Sequence, residues 1–359
     1  MQDNAMSKWL SPLMAFCLSF LIIATLAPIT GIQIDRQLDF WMLWLATMLI
    51  LALPVCYLEI ALAKRSKTTA LHALSSLTRE ADSSQRWRIV GWLAVVFIPF
   101  LAGAMLNHAS NVVSIANLEV QQPAILAGLV IAALLLSLIP HLILVGITTI
   151  GVIASLVLAN VMGTALPEWQ LTPVQFSEWG NATVLALVAS GLGMGLYWQS
   201  SLAAVKQQDV ATKTVLPIWI AQLLAVIAFG FFAVKAEVPA FALIAAIVAA
   251  AALMLQMARE QLQQRQINVI IQWVIVAVAT LVWLIPNITP VFNNLLILWG
   301  LVISLIYALF AGWIMKISHL RKSMNFSSEA FYNIWRIAVR VVLPVSIVVA
   351  IIAVLGQWF

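Results

Sequence analysis

The residues of this chain that could do chemistry are few, and most stand inside apolar runs. Gly191, Gly193 and Gly195 alternate in Ala189-Ser-Gly-Leu-Gly-Met-Gly-Leu-Tyr-Trp-Gln-Ser-Ser201, in the middle of an apolar run from about 184 to 205. Each glycine costs about 1 kcal/mol against alanine in a helix interior, so three of them are a poor choice for a plain spanning helix. Two readings are open. In one, the helix is discontinuous and its freed backbone lines a binding site, because irregular backbone at membrane depth needs protein or a cavity around it. In the other, the glycines are a small-residue seam for close helix packing. Ser200 and Ser201 follow at once and could add hydroxyls to an opened turn.

Glu59 is a lone acid near the end of another apolar run. A charged side chain at the bilayer centre costs roughly 2.5–3.5 kcal/mol on insertion scales, so Glu59 needs a partner. Opened backbone is one candidate; Lys64 or Arg65 at the interface is the other. Asn107 and His108 lie deep in a third run. Intramembrane polar groups generally face the bundle interior, where an interhelical hydrogen bond and a solute or proton contact are both available to them. Thr25 and Thr30 flank Pro28, and their hydroxyls could serve a site or bond within their own helix. The four histidines, His72, His108, His141 and His319, are scattered. The chain has no metal-spaced His/Cys cluster, no phosphate-binding glycine loop and no nucleophile elbow. We therefore expect no catalytic residue, no metal centre and no enzyme.

The elements that must position these residues are transmembrane helices. Of 359 residues, 64% are hydrophobic and 9% charged, against about 25% charged in a soluble domain. Apolar runs long enough to cross a bilayer, which takes roughly 20 residues, fall at about 8–30, 38–62, 88–114, 122–138, 141–162, 182–204, 211–234, 238–257, 267–286, 291–315 and 332–356. This predicts an all-α polytopic membrane protein of about 11 helices in one domain, 1–359, with the lipid bilayer as its surroundings. The first run lacks a small-residue cleavage pattern and reads as a retained helix. Cys17 and Cys56 both lie in apolar runs, so no disulfide framework is implied. With the N-terminus in the cytoplasm, sixteen basic residues fall inside and two, Arg36 and Lys235, outside, a strong positive-inside bias. The net charge of +5 thus belongs to particular loops and is no nucleic-acid signal.

Several segments, in order, resemble the bacterial branch of the neurotransmitter:sodium symporter family. Leu53-Pro-Val-Cys-Tyr-Leu-Glu-Ile-Ala-Leu62 is similar to its Pro-x4-Glu-x-Ala-x-Gly pattern, with Pro54 and Glu59 in register. Gly91-Trp92 resembles the start of its third span, and Leu166-Pro-Glu-Trp with Ser190-Gly-Leu-Gly-Met-Gly195 the approach to and break in its sixth. Gly312-Trp313 and Ile334-Trp-Arg-Ile-Ala-Val-Arg-Val-Val-Leu-Pro344 resemble its last two spans. The resemblance implies the LeuT-type fold: two inverted five-helix repeats (about 8–162 and 182–315), then a C-terminal helix at 332–356. Spans 1 and 6 would be broken around one midplane site, with Pro28 facing the glycines and Glu59 facing the opened turn. It also implies uptake of an amino acid or similar small solute, in the bacterial inner membrane, without a cofactor beyond a coupling ion.

The chain departs from that pattern where ions bind. The sodium-binding Asn of the first span is missing from Phe20-Leu-Ile-Ile-Ala-Thr-Leu-Ala-Pro28, and the Thr-Ser ligands of the eighth fall near Met254-Leu255. The outer lid shrinks to about 235–239. Sodium would then rest on backbone carbonyls and hydroxyls such as that of Thr25, or a proton would replace it, carried by Glu59 or His108. Two functions stay open: a secondary transporter with altered coupling, whose solute meets Gly191, Gly193, Gly195, Ser200, Pro28 and Asn107; or a transporter-derived sensor, scaffold or partner subunit. The topology is directly testable. Reporter fusions after Lys67 and after Phe359 are expected to give opposite signals, cytoplasmic and periplasmic; equal signals would exclude the eleven-span arrangement.

Overall fold

The computed structural model describes residues 2–30, 37–115, 120–162, 168–190, 193–202, 210–230, 240–326 and 328–358. These are almost wholly helical: α1 Gln2–Ile29, α2 Leu38–Ser66, α3 Ala70–Glu80, α4 Gln85–Ser114, α5 Gln122–Leu136, α6 His141–Met162, α7 Phe176–Leu187, α8 Leu196–Ser201, α9 Thr212–Ala228, α10 Ala240–Gln264, α11 Val269–Leu284, α12 Thr289–Ile314, α13 Ile317–Met324 and α14 Glu329–Gly356. Seven helices are long and apolar enough to cross a membrane; three shorter apolar ones, α5, α9 and α11, join them. The interrupted pair α7–α8 accounts for the remaining run. Large apolar side chains such as Ile150, Ile270 and Ile334 are exposed on the outer faces. Such a surface is what a bilayer, rather than water, solvates.

The packing repeats itself. Helix α1 lies along α9, as α2 lies along α7 and α8; α4 meets α11, as α10 meets α5; α6 crosses α10, as α12 crosses α4. These pairs match if the first five spans superpose on the second five. An odd number of spans per repeat then turns one repeat upside down relative to the other. Helix α4 against α10 is the self-paired contact at the centre, and α14 packs outside on α7.

Proline shapes two of the helices, and π turns appear in three. Pro54 lacks an N–H and its ring crowds the carbonyl four residues back. Helix α2 accommodates it with a π turn at Met48–Ala52, in which the Met48 carbonyl accepts from Leu53 N, and the same carbonyl also accepts from Trp219 Nε1 at 2.9 Å. Pro344 follows a π turn at Ala338–Val342 in α14 in the same way. A third π turn, Phe310–Ile314, ends α12. There Arg340 does not simply reach for water: its Nε donates to the Gly312 carbonyl and its guanidinium stands 5.5 Å from the Trp313 ring centre.

Helix α1 corrects one expectation. It is continuous from Gln2 to Ile29, because the stretch before Pro28 holds no glycine and consists of residues that keep a helix. Pro28 falls in its last turn and is exposed, where a proline needs no break. The shortened lid at 235–239 lies outside the described residues.

Both ends of the bundle are tied. At the end carrying most basic residues, Arg65 Nε meets Glu80 Oε2 at 2.9 Å, and Lys316 Nζ meets Asp82 Oδ2 at 3.5 Å. At the other, Asp39 Oδ1 accepts from Thr172 Oγ1 at 2.8 Å and Thr172 N at 3.1 Å, clasping the loop before α7 onto the start of α2. Small residues let α6 and α10 cross closely. A Cβ on Gly151 would stand 2.8 Å from the Ala246 Cβ, whereas one on Gly146 of the same helix meets nothing within 4 Å. Gly151→Leu is therefore expected to force α6 from α10 and cost about 1–3 kcal/mol, read as a lowered Tm in detergent, while Gly146→Leu leaves Tm unchanged.

Candidate functional site

The helix that the glycines interrupt is open. Helix α7 ends at Leu187 and α8 starts at Leu196, and between them Gly193 has φ +84° and Gly195 φ +75°. Both angles lie in the left-handed region, where a Cβ is strained. The sites are also crowded. A Cβ on Gly195 would approach the Ala70 Cβ to 2.7 Å; on Gly193 it would meet Ile303 and Ser304 at 3.4 Å. The glycines are thus a requirement of the backbone rather than only a packing seam. Gly191 lies outside the described residues, and Ser200 falls within α8.

An opened helix leaves N–H and C=O groups that hydrocarbon would not solvate. The N–H groups go to Glu59. Its Oε1 accepts from Gly193 N at 2.9 Å and from Gly195 N at 3.1 Å. Glu59 is buried and forms none of the described ion pairs, so opened backbone rather than Lys64 or Arg65 is its partner. A carbonyl goes elsewhere. The Ser190 oxygen accepts from Tyr197 Oη at 2.9 Å, Gln222 Nε2 at 3.0 Å and Ser19 Oγ at 3.3 Å. A carbonyl has two lone pairs, so three donors saturate it. Helix α8 is further fixed by Trp198 Nε1, which donates to the Thr68 carbonyl at 2.8 Å.

The structure brings together Glu59, Gly193 and Gly195. It does not bring Pro28, Thr25, Asn107 or His108 to them. Ser19 is the α1 residue that touches the break, and Pro28 lies nine residues further on, about 13 Å along the axis. Thr25 Oγ1 donates to Leu21 O at 3.0 Å within its own helix, the ordinary use of a helical threonine. Asn107 Oδ1 accepts from Gln122 Nε2 at 3.0 Å, tying α4 to the start of α5. His108 stands next to Asn107 near the end of α4 that faces away from the basic end. Glu59 is seven residues from the opposite end of α2, so the two are separated by on the order of 20 Å along the bundle.

Sequence reasoning missed Ser19, Tyr197 and Gln222. The signal was present for Gln222, an amide alone inside an apolar run, where polar groups mark the interior. It was weak for Ser19, since an isolated serine in a spanning helix commonly bonds its own backbone.

The positions at which the resembled family holds sodium do not fit a cation here. Helix α1 is unbroken and offers no opened carbonyls, and Met254 and Leu255 are apolar and buried.

Two matched sets of five spans and one more, with the sixth opened at glycines, define an all-α polytopic membrane protein of the LeuT type. The crystal structure of MhsT in complex with L-phenylalanine has the same fold: the match covers 95% of this chain and 98% of that one, with a TM-score of 0.63 and 14% sequence identity. No family model matches the chain, and no curated protein sequence does.

The Glu59 contact yields a measurable consequence. Removing its carboxylate strands two buried N–H groups, each worth about 1–3 kcal/mol. Glu59→Ala is expected to destabilise by about 2–5 kcal/mol in thermal unfolding, and Glu59→Gln, whose amide oxygen can still accept, by less than half as much. Equal losses would show that the N–H groups do not depend on the acceptor.

Proposed function

We propose that this chain is a secondary transporter, related to the bacterial neurotransmitter:sodium symporters, that moves an amino acid or similar small solute across the bacterial inner membrane. The basic end of the bundle faces the cytoplasm in this reading, and the protein is not an enzyme. The observation that carries it is the opened helix at α7–α8, held in left-handed backbone by Gly193 and Gly195. A discontinuous helix at a repeat interface is where transporters of this architecture place their solute. The likeness to MhsT, whose crystal structure contains L-phenylalanine, supports an amino acid as the class to try first. Coupling to sodium at the family's usual positions has no support in these side chains, and His108 is too far from the break to serve it.

A second reading, a sensor, scaffold or partner subunit, draws on one specific observation. Tyr197, Gln222 and Ser19 already occupy the Ser190 carbonyl, as they would in a protein that has given up a ligand there.

The test is binding and uptake of radiolabelled amino acids by the purified protein in proteoliposomes, beside Gly193→Leu and Gly146→Leu. Saturable binding is expected for the wild type and Gly146→Leu. Gly193→Leu should insert but bind at least tenfold more weakly, because its side chain is strained at φ +84° and enters the space before Ile303 and Ser304. Folded wild-type protein that binds no amino acid would favour the second reading, and a Gly193→Leu variant that binds normally would reduce the glycines to structural residues.

A further inference from the structure

The glycine turn is surrounded by more oxygen than its hydrogen bonds use. Glu59 Oε2, Gln261 Oε1, Ser304 Oγ and Tyr307 Oη are each buried with no hydrogen-bond partner among the described residues. All four side chains are more than nine-tenths buried, where an unpaired polar atom needs an explanation. They lie around the glycine turn. Glu59 binds the N–H groups on both sides of Met194. Ser304 Oγ lies 3.4 Å from where a Cβ of Gly193 would stand, and Gln261 Oε1 3.8 Å from that of Gly195. Tyr307 is one turn along α12 from Ser304, on the same face. The set is three neutral oxygens and one carboxylate oxygen, from α2, α10 and α12.

The charge of this set is not balanced by side chains. Glu59 makes no described ion pair. Lys64 is five residues on, about 140° round the helix, and Arg65 is engaged with Glu80. Cys56, Tyr197 and Tyr307, the other titratable groups close to the carboxyl, bring no positive charge. Carboxylate, amide and hydroxyl oxygens are ligands for hard cations. One carboxylate is neutralised by one positive charge, and a divalent ion would leave a net charge in the membrane.

We infer that Glu59, Gln261, Ser304 and Tyr307 form a binding site for a small alkali cation, sodium or lithium, at the opened helix. The site stands apart from the saturated Ser190 carbonyl and does not depend on whether the chain moves a solute. A cation there bridges α2, α10 and α12 to the turn through the carboxylate that already holds it, so its binding stiffens the break.

The experiment is thermal unfolding of the purified protein in detergent at alkaline pH, with choline chloride replaced by NaCl, LiCl or KCl at constant ionic strength. Sodium or lithium is expected to raise Tm saturably, by roughly 5 °C at about a hundred times Kd. Ser304→Ala should shift the midpoint at least tenfold, and Glu59→Gln should abolish the response. Ser304→Ala keeps the test decisive if the Glu59 variant folds poorly. Asn107→Ala, remote from the turn, should respond as the wild type does. Three results overturn the assignment: no alkali cation stabilises beyond choline; Ser304→Ala and Glu59→Gln respond like the wild type; or Tm follows pH through Glu59 and ignores the cations, in which case the carboxyl holds a proton.

Discussion

One carboxylate oxygen holds the centre of this protein together. Opening a helix inside a membrane frees backbone groups whose solvation the lipid will not replace. Glu59 Oε1 takes two of them at once, from Gly193 and Gly195. The rest of the arrangement follows from that contact. Glycine is needed because the N–H groups converge on one acceptor only when the backbone turns left-handed. Helix α2 must present Glu59 at the right height, which its π turn and Pro54 help to set. Helix α3 must come close beneath, which Ala70 permits and a larger residue would not.

The two halves of the opened turn are treated differently. Its donors meet a charged acceptor with an oxygen to spare; its carbonyl at Ser190 meets three neutral donors. The carboxylate that holds the donors therefore retains capacity for a ligand, and the Ser190 carbonyl has none. The break is a pair of chemically opposite surfaces, and among the described residues the spare capacity lies with Glu59.

Much of this was legible in the sequence. The apolar runs reappear as helices, because their length and flanking charges admit no other arrangement in a bilayer. The glycines and a lone acid each asked for an answer in a membrane, and the family resemblance pointed them to one another, where Gly193 and Gly195 of the turn meet Glu59 of α2. Pro28 misled, because it falls in the last turn of α1, where the helix ends within two residues, and the stretch before it holds no glycine to open. Thr25 and Asn107 had inexpensive local or neighbouring partners, which one sequence does not distinguish from a site. Ser19, Tyr197 and Gln222 meet at one carbonyl from three distant segments, and no periodicity records that convergence.

The unbroken α1 has a mechanical consequence. The two repeats match in how their helices pack, but only the second has a joint in its first member. Helix α1, 28 residues long and about 42 Å at helical rise, is a single rod running through the bundle beside a hinged partner. Helix α1 keeps one unbroken helical backbone from end to end, whereas α7 and α8 are separate segments joined only by the glycine turn and its hydrogen bonds. The molecule is thus a repeated frame whose two halves differ at one joint, and that joint lies on the side of the glycines.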